Sequence, residues 1–222
     1  MTEDPEYSVS YFKLRQSVGW VGLLMPASVR VGAGVFEHVW STASISAYYY
    51  TGMRDVFVAS LVLVGALLAG YRTPAKQDGV VATIAGVAAI GIGLFPMDPV
   101  FADEVIRKHP EVMSDACYFN RGILGFHFVF VGIFFALAFY LVTFRFRALT
   151  PASPTVQKLR RNRVYPVCGM IMGASFLTIG ALALFDRGAS IFWPESAAVV
   201  AFAAAWIIKG QGFLADPGRP RG

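Results

Sequence analysis

Five ionisable side chains stand in apolar surroundings in this chain, and they are the residues best placed to do chemistry: Arg30, Arg54, Asp55, His127 and Glu195. Charge in such surroundings is costly, so these groups mark either a specific ion pair or a functional site. Arg30 or Arg54 can neutralise Asp55 or Glu195, which makes a structural ion-pair network the simplest reading. The same set can instead line a polar cavity that holds a ligand. Glu37, His38 and Asp98 flank it.

A second chemistry needs a hydroxyl beside a base. His127 sits in the aromatic stretch Phe126-His127-Phe128, with Phe130, Phe134 and Phe135 beyond, while Ser44, Ser46 and Thr51 share one short segment. A hydroxyl activated by His127 would be a nucleophile for acyl transfer, with Ser46 and Thr51 as the candidates. No nucleophile-elbow motif accompanies them. A third chemistry is metal binding: His38, His109 and His127, with Asp55 or Asp98, carry the right donor atoms for zinc. None of the three stands at i, i+4 spacing from another. No motif implies a cofactor.

What must position these residues is a set of membrane helices. Of 222 residues 56% are hydrophobic and 15% charged, with a mean hydropathy of +0.56, far from a soluble domain. Crossing a bilayer takes about 20 mainly apolar residues. Six runs qualify, over 18–39, 53–70, 79–96, 122–144, 164–185 and 189–208. The period-2 pattern of a membrane barrel is absent, and backbone in lipid must satisfy itself, so the runs are helices. The expectation is an all-α protein, one domain over residues 1–222, forming an integral membrane bundle of six transmembrane helices.

Orientation follows from the basic residues, which concentrate in cytoplasmic loops. Thirteen of the 19 Lys and Arg fall on the side of the N-terminus and five on the other, with Arg30 inside the first run. Both termini are therefore expected in the cytoplasm. The polar start, with Glu3, Asp4 and Glu6, makes a poor signal peptide, so the first run reads as a retained span. The net charge of +5 is topogenic and attracts anionic headgroups. Membrane lipids are the expected partners and nucleic acid is not. Cys117 and Cys168 fall on opposite sides, too far apart for a disulfide.

Tracing each run places the ionisable set in one half of the bundle. Arg30 lies twelve residues past Val18, about 18 Å along a helix, and His127 and Glu195 lie near the outer ends of their runs. The segment Trp40–Gly52, dense in hydroxyls and aromatics, suits the outer headgroup interface. Met97–Arg121 is the longest outer loop, and the stretch between Pro99 and Pro110 is expected to form a short helix. Small residues, as in Gly79–Gly93, suit close helix packing.

The string Ser44-Ile45-Ser46-Ala47-Tyr48-Tyr49-Tyr50-Thr51-Gly52-Met53-Arg54-Asp55-Val56-Phe57-Val58, with Leu94-Phe95-Pro96 and His127 ahead of Phe134-Phe135, resembles the bacterial polytopic membrane family called domain of unknown function 998. The likeness continues through Arg161-Asn162, Tyr165, Glu195, Trp206, Lys209 and Gly210, and departs at Ala59 and Met97. It implies six helices in a bacterial cytoplasmic (inner) membrane and brings no established activity. More distantly, the layout is similar to DRAM-like six-span proteins, regarded as modulators. It also shares features with membrane zinc hydrolases of the ceramidase type, whose closing histidine pair has no counterpart here.

The expected function is non-enzymatic: a bundle that binds a lipid-like or small amphipathic ligand in a polar cavity of its outer half. An intramembrane lipid hydrolase, with His127 as base and Ser46 or Thr51 as nucleophile, is the alternative. An accessory subunit beside another membrane protein is a further one.

Overall fold

A computed structural model describes residues 5–98, 102–108, 125–148, 150–186 and 188–216. Among these, all regular structure is helical. The long helices are α1 (Pro5–Glu37), α2 (Arg54–Ala69), α3 (Lys76–Leu94), α5 (Phe126–Tyr140), α6 (Val156–Phe185) and α7 (Phe192–Lys209), with the short α4 (Asp103–Lys108) between α3 and α5. That short helix is the one expected between Pro99 and Pro110. Beyond Tyr140, α5 continues through a π-helical turn, Leu141–Arg145, and a last turn, Phe146–Ala148.

Among the described residues, five helical segments are long and apolar enough to cross a membrane: Tyr11–Glu37, Lys76–Leu94, Phe126–Ala148, Val156–Phe185 and Phe192–Lys209. The sixth apolar run became α2, whose 16 residues reach about 24 Å against a core of ~30 Å. The long helices form a ring in which α5 packs on α3, α3 on α2, α2 on α1, α1 on α7 and α7 on α6, and α6 returns to the π turn of α5.

Small residues set the closest crossings. A Cβ on Gly65 would lie 2.5 Å from the Gly86 carbonyl oxygen, and one on Gly86 would lie 2.4 Å from that of Gly65. Only glycine at both positions lets α2 and α3 touch through their backbones. Gly19 does the same for α1 against Ala203 and Ile207 of α7.

The two ends of the ring differ. At the end holding the start of α3 and the finish of α7, fully buried Trp206 stacks edge-on against Tyr71 (5.0 Å) and Phe146 (5.2 Å). Around that aromatic centre lie Arg15, Asp78, Arg145, Lys158, Arg161 and Lys209. Asp78 pairs with Arg145 at 2.5 Å and Arg161 with Asp216 at 2.7 Å. The π turn matters here because it brings Arg145 to Asp78 from another helix.

The opposite end is closed by the segment between α1 and α2. His38 ends α1 at φ 60°, a left-handed cap where glycine is usual, and Val39 N–H donates back to the Ala33 carbonyl at 3.0 Å. The chain then turns inward as a 3-10 helix, Ser46–Tyr50, all five residues of which are buried. This corrects the interfacial reading of the tyrosine run: Tyr48, Tyr49 and Tyr50 are at most 5% exposed, and of the segment's aromatic residues Trp40 is the one at the surface. Irregular backbone at this depth is tolerated when protein surrounds it.

Candidate functional site

The buried plug is held from three sides. Thr42 Oγ1 donates to the Ser44 carbonyl at 2.7 Å, and Ala47 N–H donates to Ser44 Oγ at 3.1 Å. Ile191 N–H and Ser190 Oγ reach the Ala43 and Thr42 carbonyls at 2.7 and 2.9 Å, tying the plug to the start of α7. Tyr50 Oη donates to the Met97 carbonyl at 2.5 Å, tying it to the end of α3.

Two predicted site residues grip the plug directly. Glu195, in the first turn of α7, accepts the Ile45 N–H at 2.6 Å through Oε2. One residue on, Ser46 Oγ lies 3.1 Å from His127 Nε2, while His127 Nδ1 lies 2.8 Å from the Phe95 carbonyl oxygen. A carbonyl can only accept, so Nδ1 carries the ring proton and Nε2 offers its lone pair to the Ser46 hydroxyl. His127 is buried at 2% exposure. The arrangement is a hydroxyl, a neutral imidazole acting as its acceptor, and a main-chain carbonyl orienting that imidazole. It is the geometry in which a base activates a nucleophile.

Beside it lies an apolar cavity of about 60 Å³, walled by residues of α1, α2, α5 and α7, with Met25, Phe57, Phe134 and Val199 among them. Ser46 and Glu195 both line it. The third polar lining residue, Ser60, donates its hydroxyl to the Val56 carbonyl of its own helix at 2.7 Å. One water needs roughly 10–15 Å³ on this scale, so the cavity takes about four to six water-sized groups. That is a short length of acyl chain rather than a folded ligand.

The other predicted residues go elsewhere. Among Arg30, Arg54, Asp55 and Glu195 no salt bridge forms. Arg30 lies over the Phe192 and Trp193 rings, 5.0 Å from each centroid, and Arg54 donates to Tyr49 Oη at 2.7 Å above the same ring. Both are cation–π placements that keep a guanidinium near lipid depth without a carboxylate. Asp55 is exposed in the first turn of α2, where the helix dipole favours it. Thr51 is buried but donates to the Tyr48 carbonyl at 2.8 Å and accepts Met53 N–H at 3.1 Å. It starts α2 and does not face His127.

Of the three histidines, His38 is exposed in its cap, both ring nitrogens of His127 are engaged, and His109 lies outside the described residues, as does Cys117. Among the described residues no group of three His, Cys, Asp or Glu could hold a metal ion. Cys168 is buried as a free thiol.

Sequence reasoning missed the partners supplied by main chain, namely the Phe95 carbonyl and the Ile45 N–H, which no residue type announces. It also read the basic residues of the other end as topogenic only. A signal existed there: Asp78 is the single carboxylate between Val56 and Met97, beside Lys76. No protein family, curated protein or solved structure matches the chain, so the site itself has to carry the functional argument.

Proposed function

We propose that this chain is a six-span integral membrane protein that holds a single acyl chain, or a similarly slender amphipathic ligand, in the cavity between α1, α2, α5 and α7. The ligand's polar end meets Ser46 and Glu195. The observation that carries this reading is the cavity's asymmetry: apolar walls throughout, with a hydroxyl and a carboxylate supplied by the plug and the start of α7. α2 counts as a span in this reading because its stretch from Val56 to Ala69 carries no charged residue and it packs between α1 and α3. In this reading the end with the excess of basic residues, and both termini, face the cytoplasm, and the membrane is a bacterial inner membrane.

The test is lipid retention. Purified in mild detergent and analysed by native mass spectrometry, the wild-type chain should carry a lipid adduct. Val199→Phe, which fills the cavity from α7, should lose it while keeping its helical circular dichroism. Equal adducts in both proteins would contradict the proposal.

One observation favours a second reading. The 3.1 Å contact between Ser46 Oγ and the unprotonated His127 Nε2 is what an ester or amide hydrolase requires, and the cavity would then receive the acyl group. A fluorophosphonate probe in membranes separates the two. Labelling of Ser46 that is lost in His127→Gln supports hydrolysis, and no labelling of the folded protein argues against it.

A further inference from the structure

The end of the ring opposite the cavity carries more positive charge than its carboxylates balance. Asp78 is engaged by Arg145 and Asp216 by Arg161. Asp216 also accepts hydrogen bonds from Thr155 and Gln211. Among the described residues that leaves Arg15, Lys158 and Lys209 without an ion pair to a carboxylate, Lys209 Nζ donating instead to the Phe146 carbonyl at 3.0 Å. These three are not scattered over a surface. Arg15, Lys158 and Arg161 all act electrostatically on Lys209, opposed by Asp78, and Arg15 and Arg161 act on Lys158, opposed by Asp216. Arg15 comes from α1, Lys158 and Arg161 from successive turns of α6, and Lys209 from the end of α7, so three helices bring their cations to one place.

Burial turns this from a solvated basic face into a site. Arg15 is 9% exposed and Arg161 4%. Arg15 lies over the Tyr11 ring at 3.9 Å and donates from Nη2 to Tyr11 Oη, yet its Nε is buried without a hydrogen-bond partner. Trp206, which packs on the same Tyr71 ring that Arg15 approaches at 5.3 Å, also buries its Nε1–H without a partner. Buried donors are rarely left unpaired, and an unpaired guanidinium N–H is among the costlier cases. Converging cations and unmet donors together describe the complement of an oxyanion.

From this juxtaposition we infer that the end of the bundle formed by Arg15, Lys158, Arg161 and Lys209 binds a phosphate-type oxyanion, supplied either by an anionic phospholipid headgroup or as free phosphate. The inference is independent of the acyl-chain cavity, which lies at the other end of the ring.

The test uses the full chain in phosphatidylcholine nanodiscs, with thermal unfolding as the readout. One arm adds inorganic phosphate against matched chloride, and the other replaces part of the phosphatidylcholine with phosphatidylglycerol. Stabilisation by phosphatidylglycerol alone identifies a headgroup site, and stabilisation by phosphate identifies a soluble-ion site. Arg15→Gln should weaken the responding arm by roughly ten-fold or more, the loss expected for one charge-assisted hydrogen bond. Lys158→Gln, at a half-buried position, gives the same reading if Arg15→Gln does not fold. Arg160→Gln removes one charge from an exposed position nearby and should change little. No stabilisation in either arm, or an equal loss in Arg160→Gln, would overturn the inference.

Discussion

The two ends of this bundle bury polar groups by opposite means. At the cavity end, His127 is neutral and has both ring nitrogens engaged, and Glu195 accepts a main-chain N–H, so the polar groups face the plug rather than one another. At the other end the groups are charged and pair across helices, and Arg15 Nε and Trp206 Nε1 lie buried without a partner beside them. A constellation in which His127 and Glu195 bond to main chain and to the plug suits a site that admits an apolar ligand. One in which cations from three helices converge suits a site that takes an anion. The comparison also separates what stability depends on: ion pairs fix helix register at one end, while main-chain hydrogen bonds fix an irregular segment at the other.

The largest expected effect comes from breaking the charged end. Asp78→Asn removes the buried carboxylate facing Arg145 and leaves that half-buried cation without its ion-pair partner. Removing one partner of such a pair costs about 3 kcal/mol, which chemical unfolding in nanodiscs should register. A cost below ~1 kcal/mol would mean that the pair is solvated and the contrast between the ends overstated.

Next is the cavity end. His127→Ala strands the Ser46 hydroxyl and the Phe95 carbonyl and opens a void, at about 2–3 kcal/mol. Ser46→Ala removes one neutral hydrogen bond and should cost about 1 kcal/mol. Equal costs for the two would show that His127 serves Ser46 alone and not the α3 end as well.

Smaller effects appear in the pH dependence of unfolding. Burial first, opposed by the Arg15 charge, pushes the Tyr71 hydroxyl up from its ordinary 10.0 to about 12. The folded state then holds a proton that the unfolded chain has lost. Tyr71 therefore contributes stability that is complete below pH 10 and lost as pH rises towards about 12. Tyr71→Phe should flatten that alkaline limb.

The smallest effect belongs to Asp216. Burial pushes its carboxyl up, but the hydrogen bonds from Arg161 and Thr155 and the Arg161 charge outweigh it and hold the group below its ordinary 3.8. Its contribution is present above pH 3.8 and lost as pH falls through the lowered value. Asp216→Asn should remove a slight acid-side dependence, with little change at neutral pH because the group is partly exposed.

The helices were legible because apolar runs and helical span length come from composition alone, and the small residues of Gly79–Gly93, Gly86 among them, announce close packing. α2 illustrates the limit: its run looked like the others, yet the helix starts at Arg54 and ends at Ala69, bounded by Met53 and Gly70. Of the site, His127, Ser46 and Glu195 were legible as polar groups in apolar surroundings. Their convergence was not, because it depends on residues 38–53 folding inward, and the tyrosines that direct the fold inward look the same as tyrosines at an interface. Arg30 and Arg54 misled for a related reason. Aromatic faces can hold a guanidinium as a carboxylate does, and sequence does not say which one it meets. Arg161 and Lys209 read as topogenic because buried and exposed cations carry the same letter.

The most direct test of an acyl-chain site is photo-crosslinking in membranes with a phospholipid bearing a diazirine on its acyl chain, followed by mass-spectrometric mapping of the adducts. Adducts on the cavity residues Met25, Phe57 and Val199, diminished in Val199→Phe at the remaining positions, are the predicted result. Adducts confined to outward-facing residues such as Leu177 and Phe185, which are 78% and 88% exposed, would contradict it.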